Sequence, residues 1–261
     1  MEPCSGAGSR LKLRVHTRIY NGRLRTSYPL FAGLAALITL QCAAAESPDV
    51  VLNSFTLAST QSDLQMRGAS MNVEIVASLP KLEKTASLQG VRRVSRAGAI
   101  SYEGLQLTGD ASLRQQIIAR YLSAEENRGH ERDLQTLALT TANYRFQWKG
   151  MEPVDARQAY LFRVKPRKKR EGAFDGLIWI DAATYLPLRE SGRVVQHSIF
   201  LRRLTMVRKF RIVDQRLAIP ETTDLDIDTR LVGRAQMNVK VGTVSWEAPD
   251  SENVSSVPAV Q

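Results

Sequence analysis

Side chains that commonly carry catalysis or bind metals are scarce in this sequence beyond its first 45 residues. Both cysteines, Cys4 and Cys42, lie within those 45 residues, and only His130 and His197 supply imidazoles after them. The two histidines are far apart and fit no metal-binding spacing such as His-x-His or His-Glu-x-x-His. The sequence also contains no Gly-x-Ser-x-Gly nucleophile elbow and no glycine-rich phosphate loop. We therefore predict a protein that is not an enzyme and that uses no metal and no cofactor.

Large aromatic side chains are the candidate ligand-binding residues. In two predicted strands they occupy alternate positions, which places them on one face of each strand. We predict that an apolar cavity is lined by Tyr144, Phe146, Trp148, Tyr160, Phe162 and Trp179. The alternative is that the same rings fill an ordinary hydrophobic core.

The densest run of charge, Lys165-Pro-Arg-Lys-Lys-Arg170, connects two predicted strands. The first interpretation is a solvated hairpin loop. The second is a contact with anionic lipid headgroups or an acidic partner, because basic residues near such a surface are attracted to it by ~1 kcal/mol each. The residues that would make this contact are Lys165, Arg167, Lys168, Lys169 and Arg170.

The segment from Gly176 to Arg189 organises the predicted sheet. Its first half, up to Asp181, is a run of β-branched and aromatic residues of the kind that forms a strand, and Asp181 can cap a turn through Ala-Ala-Thr. Pro187 cannot donate a ladder hydrogen bond, so the returning strand is predicted to be at an edge or bulged. The sheet is therefore expected to bend or open at this hairpin.

This hairpin, together with Tyr160-Leu-Phe-Arg-Val-Lys-Pro-Arg before it, resembles the equivalent hairpin of periplasmic lipoprotein carriers and outer-membrane lipoprotein-sorting proteins of the LolA and LolB type. It is also similar to the hairpin of periplasmic anti-sigma regulators of the RseB or MucB type. The specific part of the resemblance covers Tyr160 to Arg189. It implies a fold, and the function of such proteins only as an expectation.

The other predicted elements agree with such a fold. Ser47 and Pro48 begin a helix that runs to about Gln65, and three strands with a period of two follow as an antiparallel meander. Asp110 caps a second helix, and the chain beyond residue 144 is a succession of strands. We predict an α+β fold, a curved and incompletely closed antiparallel β-barrel whose helices cover its concave face.

The first 45 residues have the organisation of a secretory signal. A basic region precedes the apolar segment Leu30–Leu40, and Ala43-Ala44-Ala45 is a small-residue cleavage site, so we expect cleavage before Glu46. Lipid attachment at Cys42 is a weaker alternative, because the residues before it fit a lipoprotein signal poorly. We predict a signal peptide at 1–45, a single domain at 46–246, a disordered tail at 247–261, and a periplasmic or secreted location.

Half of the net positive charge of the chain belongs to this leader. The formal net charge of +10 falls to +5 once the six basic residues and one acidic residue of positions 1–45 are removed. We therefore expect no nucleic-acid partner. The predicted function is a non-enzymatic carrier that binds a lipid, or the acyl chains of a lipoprotein. The alternative is an RseB-like regulatory module that senses lipidated or misfolded partners.

Overall fold

A computed structural model of the chain describes residues 46–128, 135–195, 201–230 and 233–246. The predicted signal peptide at 1–45 and the predicted tail at 247–261 lie outside the described residues, as do both histidines that follow the leader. Within the described ranges, none of the helices combines the length and the apolar character that crossing a bilayer requires.

The two longest helical segments of the described residues precede most of the sheet. Helix α1 spans Pro48–Gln65, and the Ser47 hydroxyl accepts a hydrogen bond from the backbone N–H of Val50, as the sequence predicted. The second segment, called α2 here, is α-helical at Ala111–Leu113, π-helical at Arg114–Ile118 and α-helical again at Ala119–Arg128. Asp110 caps it by accepting hydrogen bonds from the backbone N–H groups of Ser112 and Leu113.

In the described part of the chain, ten antiparallel strands form a single sheet. Their order is β3-β2-β1-β10-β9-β8-β7-β6-β5-β4, so β3 and β4 are the two edges and are not paired with each other. The strands are β1 Ala69–Leu79, β2 Lys84–Val94, β3 Ile100–Gly109, β4 Tyr144–Val154, β5 Arg157–Pro166, β6 Phe174–Asp181, β7 Pro187–Val194, β8 Leu201–Val213, β9 Leu217–Thr229 and β10 Arg234–Trp246. The prediction of an incompletely closed antiparallel sheet is confirmed.

Charged groups far apart in the strand order meet on one face, which shows how strongly the sheet curves. Arg208 of β8 interacts electrostatically with Tyr102 of β3 and with Glu125 of α2. Strands β3 and β8 are separated by four others, and neighbouring strands are about 4.8 Å apart, so on a flat sheet they would lie about 24 Å from each other. The face that carries Arg208 is therefore concave, and we call it the inner face.

The inner face and the helices share one hydrophobic core. Val51 and Phe55 of α1 and Ile118 of α2 pack in the same cluster as inner-face residues such as Ile75 and Ile178, all of them buried. The core holds α1 by apolar contact, and the backbone N–H of Ala218 adds a hydrogen bond to the Ser62 hydroxyl. The predicted position of the helices, over the concave face, is thus confirmed.

A pair of glycines allows strands β6 and β7 to approach each other closely. Gly176 and Gly192 are opposite each other in the register. A Cβ atom on Gly192 would lie 2.5 Å from the Asp175 carbonyl oxygen and 2.5 Å from the Gly176 Cα atom. Neither partner atom belongs to a flexible side chain, so the backbone would have to move.

We expect Gly192→Ala to destabilise the protein by about 1–3 kcal/mol, because the added methyl forces two paired strands apart. Gly242→Ala is the matched control, since a Cβ atom there meets its nearest neighbour, Asn72 Cβ, at an ordinary 3.6 Å. Urea denaturation followed by circular dichroism measures both. Equal midpoints for the two variants would show that the close approach is not important for stability.

Candidate functional site

The turn between β6 and β7 is built around a buried carboxylate. The Asp181 Oδ2 atom accepts hydrogen bonds from the backbone N–H of Thr184 at 3.0 Å and from its hydroxyl at 2.7 Å. The Arg157 guanidinium donates to the same oxygen at 2.9 Å, and the Asp181 side chain is only 2% exposed. A buried carboxylate is stable only with such partners, so this turn has little freedom to rearrange. The predicted turn capped by Asp181 is present.

Tyr185 follows directly and has a left-handed backbone conformation, with φ of 58°. A bulky side chain seldom adopts this conformation, which costs of order 1–3 kcal/mol when it does. The Tyr185 N–H donates to the Asp181 carbonyl at 2.9 Å, and this bond together with the Asp181 carboxylate enforces the geometry. As a result the Tyr185 ring stacks on Tyr160 of β5, with centroids 6.3 Å apart and an interplanar angle of 11°.

Five rings form a continuous row on the inner face, called the aromatic row here. Beyond Tyr185 and Tyr160, Trp148 lies 5.8 Å from Tyr160 and 5.2 Å from Phe162, and Phe146 lies 6.2 Å from Phe162. Phe162 is 1% exposed and belongs to the core. Phe146, Trp148 and Tyr185 are only partly buried. The row is therefore a wall with a solvent-accessible surface.

The other predicted cavity residues differ in placement. Tyr144 is 2% exposed, and its hydroxyl donates to the Leu137 carbonyl at 3.1 Å, so it is a core residue. Trp179 lies on the opposite, outer face, where its Nε1 atom donates to the Glu152 carboxylate and the Arg189 guanidinium is 5.0 Å from its ring centroid. The six predicted residues therefore do not line one surface. Tyr185 was missed because its conformation breaks the alternation that identified the others.

The basic run forms the end of β5 and the loop after it. Lys165 is an exposed residue of the strand, and Lys168, Lys169 and Arg170 are exposed in the loop. Arg167 differs from these, because its Nε atom donates to the Thr141 carbonyl at 2.9 Å. We call Lys168, Lys169 and Arg170 the basic loop.

A second part of the inner face is polar and was not predicted. Arg208 lies 3.6 Å from the buried Glu190 of β7, and Arg92 of β2 lies 3.6 Å from Glu125 of α2. Burial acts to lower the pKa of Arg208, but Glu190 and then Glu125 outweigh it and raise that pKa. Burial, reinforced by Glu125, holds the pKa of Tyr121 well above its usual range. These groups join the α2 segment to both halves of the curved sheet.

Asp63 of α1 lies beside this polar part. Displacement of water by the surrounding protein and, to a smaller extent, the charge of Glu190 raise the pKa of its carboxyl to about 6, although Arg67 opposes the change. The side chain is nevertheless exposed to solvent.

A groove of about 1380 Å³ crosses the outer face, on the side away from the helices. Its lining mixes apolar and charged side chains, and Asp175 binds both Arg163 and Arg193 within it. Since acyl chains gain energy from apolar surface and not from paired charges, this groove is a poorer candidate for them than the aromatic row.

Asp63→Asn is predicted to raise the urea midpoint at pH 7.5. A raised carboxyl pKa means that the protonated form stabilises the fold fully below pH 4, and that this stabilisation is lost as the pH rises through about 6. The variant should therefore also flatten the stability profile between pH 4 and 7. Asp49→Asn on the same helix is the control, since it removes a favourable charge from the first turn and should not stabilise the protein. An unchanged profile in Asp63→Asn would contradict the prediction.

No protein-family model matches this sequence, and no relative is found among curated proteins. Similar solved structures do exist. An outer membrane lipoprotein-sorting protein domain from Vibrio parahaemolyticus has 13% identity and a TM-score of 0.41, with 77% of this chain and 94% of that chain covered. A LolA superfamily protein from Nitrosomonas europaea has 14% identity and a TM-score of 0.41, with 79% and 96% covered.

The MucA/MucB complex from Pseudomonas aeruginosa contains a third similar chain, with 14% identity, a TM-score of 0.27, and 75% of this chain and 99% of that chain covered. Overlap at this level does not transfer ligands or partners from one protein to another. The solved structures similar to this chain thus include the lipoprotein-sorting, LolA-type and MucB-type proteins that the hairpin of residues 160–189 resembles.

Proposed function

We propose that this protein is a non-enzymatic binding protein, periplasmic or secreted, that holds acyl chains of a lipid or lipoprotein against the aromatic row. The observation that carries the proposal is the row itself. Its rings form an unbroken apolar wall on a concave face, and Phe146, Trp148 and Tyr185 in it remain partly exposed. Rings that only filled a core would be covered.

The position of β4 explains why the wall is open. Strand β4 is an edge of the sheet, so Phe146 and Trp148 have a neighbouring strand on one side only. Their inner flank is formed by Phe162 and Tyr160 of β5, which are buried and hold them in place. A rigid wall with one free side can accept a flexible chain at little cost in protein reorganisation.

The energy of binding would come from buried area. Each methylene group removed from water contributes ~0.8 kcal/mol, so a chain of ten or more carbons can bind without any specific polar contact. The absence of a recognisable catalytic motif in the sequence agrees with a role in which no bond is made or broken.

The RseB-like regulatory alternative is favoured by a different feature of the same edge. Among the strands that the structure describes, β4 has a neighbour on one side only, and a peptide could add at its other side as a further strand next to the aromatic row. A protein of this type would copurify with a peptide or protein, whereas a carrier would copurify with lipid. Mass spectrometry of an organic extract and of a tryptic digest of the natively purified protein distinguishes the two.

Trp148→Ala is expected to lower the affinity for a fluorescent fatty acid about tenfold with only a modest loss of stability, because Trp148 is partly exposed. Trp179→Ala is the matched control. It removes the same side chain from the outer face, where the indole is 7% exposed, so it should cost about 3 kcal/mol of stability and leave binding unchanged. Titrations and urea melts of both variants measure this. Equal fatty-acid affinities of the two variants would count against the aromatic row as the binding site.

The basic loop is proposed to meet an anionic membrane before the ligand passes. Reversing Lys168, Lys169 and Arg170 to Glu should leave stability and fatty-acid affinity intact, because exposed loop residues carry little stability. The same change should abolish cosedimentation with vesicles that contain anionic lipid. In the parent protein, this cosedimentation should weaken at high salt, since the Debye length is about 8 Å at physiological ionic strength. Equal vesicle binding by parent and variant would identify an ordinary solvated loop.

A further inference from the structure

One end of the aromatic row already holds a carboxylate. The Tyr185 hydroxyl lies 2.9 Å from Glu46 Oε1 and 2.8 Å from Glu46 Oε2, so it donates to both oxygens of one carboxylate. Glu46 is separated from Tyr185 by 139 positions in the sequence. It is also the residue next to Ser47, the cap of α1, and is itself exposed.

Tyr160 contributes to the same site. Burial raises the pKa of Tyr160, and the nearby charge of Glu46 raises it further. The hydrogen bond to Glu46 is the main cause of the raised pKa of Tyr185. Two stacked phenols therefore face one carboxylate, and both keep their protons, which they need in order to donate.

The position of the Tyr185 hydroxyl is fixed by the surrounding structure. The left-handed backbone of Tyr185 is enforced by the buried Asp181, and stacking on Tyr160 orients the ring. A donor fixed in advance loses little entropy when it binds an anion. Glu46, in contrast, is exposed and precedes α1, so its carboxylate can leave without disturbing the core contacts of Val51 and Phe55.

We propose that Tyr160 and Tyr185 form a binding site for the carboxylate of a long-chain fatty acid, and that Glu46 occupies this site when the ligand is absent. The inference rests on the proposed function, because it names the head group of a chain that lies along the aromatic row. The chain would run from Tyr185 past Trp148 towards Phe146, which follows the order of the rings. Entry of the fatty acid displaces the Glu46 carboxylate, so the two compete for the same donors.

The experiment compares myristate with methyl myristate, which has the same chain without the charge. The full chain, including residues 1–45, is expressed so that its leader can be processed, and ligand binding to the purified protein is followed by tryptophan fluorescence. Glu46→Ala removes the competitor and is expected to raise the affinity for myristate about three- to tenfold, as loss of a charge-assisted hydrogen bond allows. Tyr185→Phe retains the ring, removes the donor and is expected to lower the affinity for myristate by a similar factor.

Neither variant should change the affinity for methyl myristate. If both ligands bind and the variants shift both equally or shift neither, the carboxylate site is excluded while acyl-chain binding stands. If neither ligand binds the parent protein, the proposed function itself fails. Circular dichroism of each variant checks the fold. Because Glu46 is exposed, Glu46→Ala remains informative even if Tyr185→Phe does not fold.

Discussion

The buried carboxylate of Asp181 is the interaction on which the geometry of the inner face depends. One of its oxygens receives the hydroxyl and the backbone N–H of Thr184 as well as the guanidinium of Arg157. Removing any one partner would leave a charge in a place with almost no water, so the arrangement is strongly favoured as a whole. It compels Tyr185 into an unfavourable backbone conformation and thereby adds a fifth ring to a row that alternation in β4 and β5 would otherwise end at Tyr160.

The two faces of the sheet have divided roles. The inner face combines an apolar wall near β4 with a polar region near β7 and β8, where Glu190 meets Arg208. The outer face carries its own small cluster, in which Trp179 packs with Ala159 and Leu188. Two hydrophobic clusters on opposite faces stiffen the β5–β7 region from both sides, which keeps the aromatic row in a fixed shape.

Much of the fold was predictable because it depends on local rules. Caps at Ser47 and Asp110, the period of two in β1, and the turn at Asp181 are all determined by neighbouring residues. The site was only partly predictable. Alternation correctly grouped Phe146 with Trp148 and Tyr160 with Phe162, since pairs within a strand are fixed by the pleat.

The rest of the site could not be predicted, because it depends on contacts between segments that are distant in the sequence. Alternation within β6 could not reveal that Trp179 would point away from Phe162, because that requires the pairing of Trp179 with Leu161 and not with an aromatic neighbour. The register of β7 with β8 is likewise needed to bring Glu190 to Arg208. The contact between Glu46 and Tyr185 joins the start of the domain to a turn 139 positions later, so no local sequence pattern reveals it.

The π-helical turn at Arg114–Ile118 has a consequence for the permitted length of this segment. Such a turn contains one residue more than an α-helical path between the same points. Deleting one residue within this turn would therefore restore regular hydrogen bonding and keep the residues after it on nearly the same face of the helix. A deletion in the α-helical part at Ala119 or Arg120 would instead rotate the residues after it by about 100° around the helix axis. Tyr121 and Glu125 would then face away from Arg208, and Arg92 would lose its acidic neighbour. Single-residue deletions should therefore be tolerated within Arg114–Ile118 and excluded directly after it.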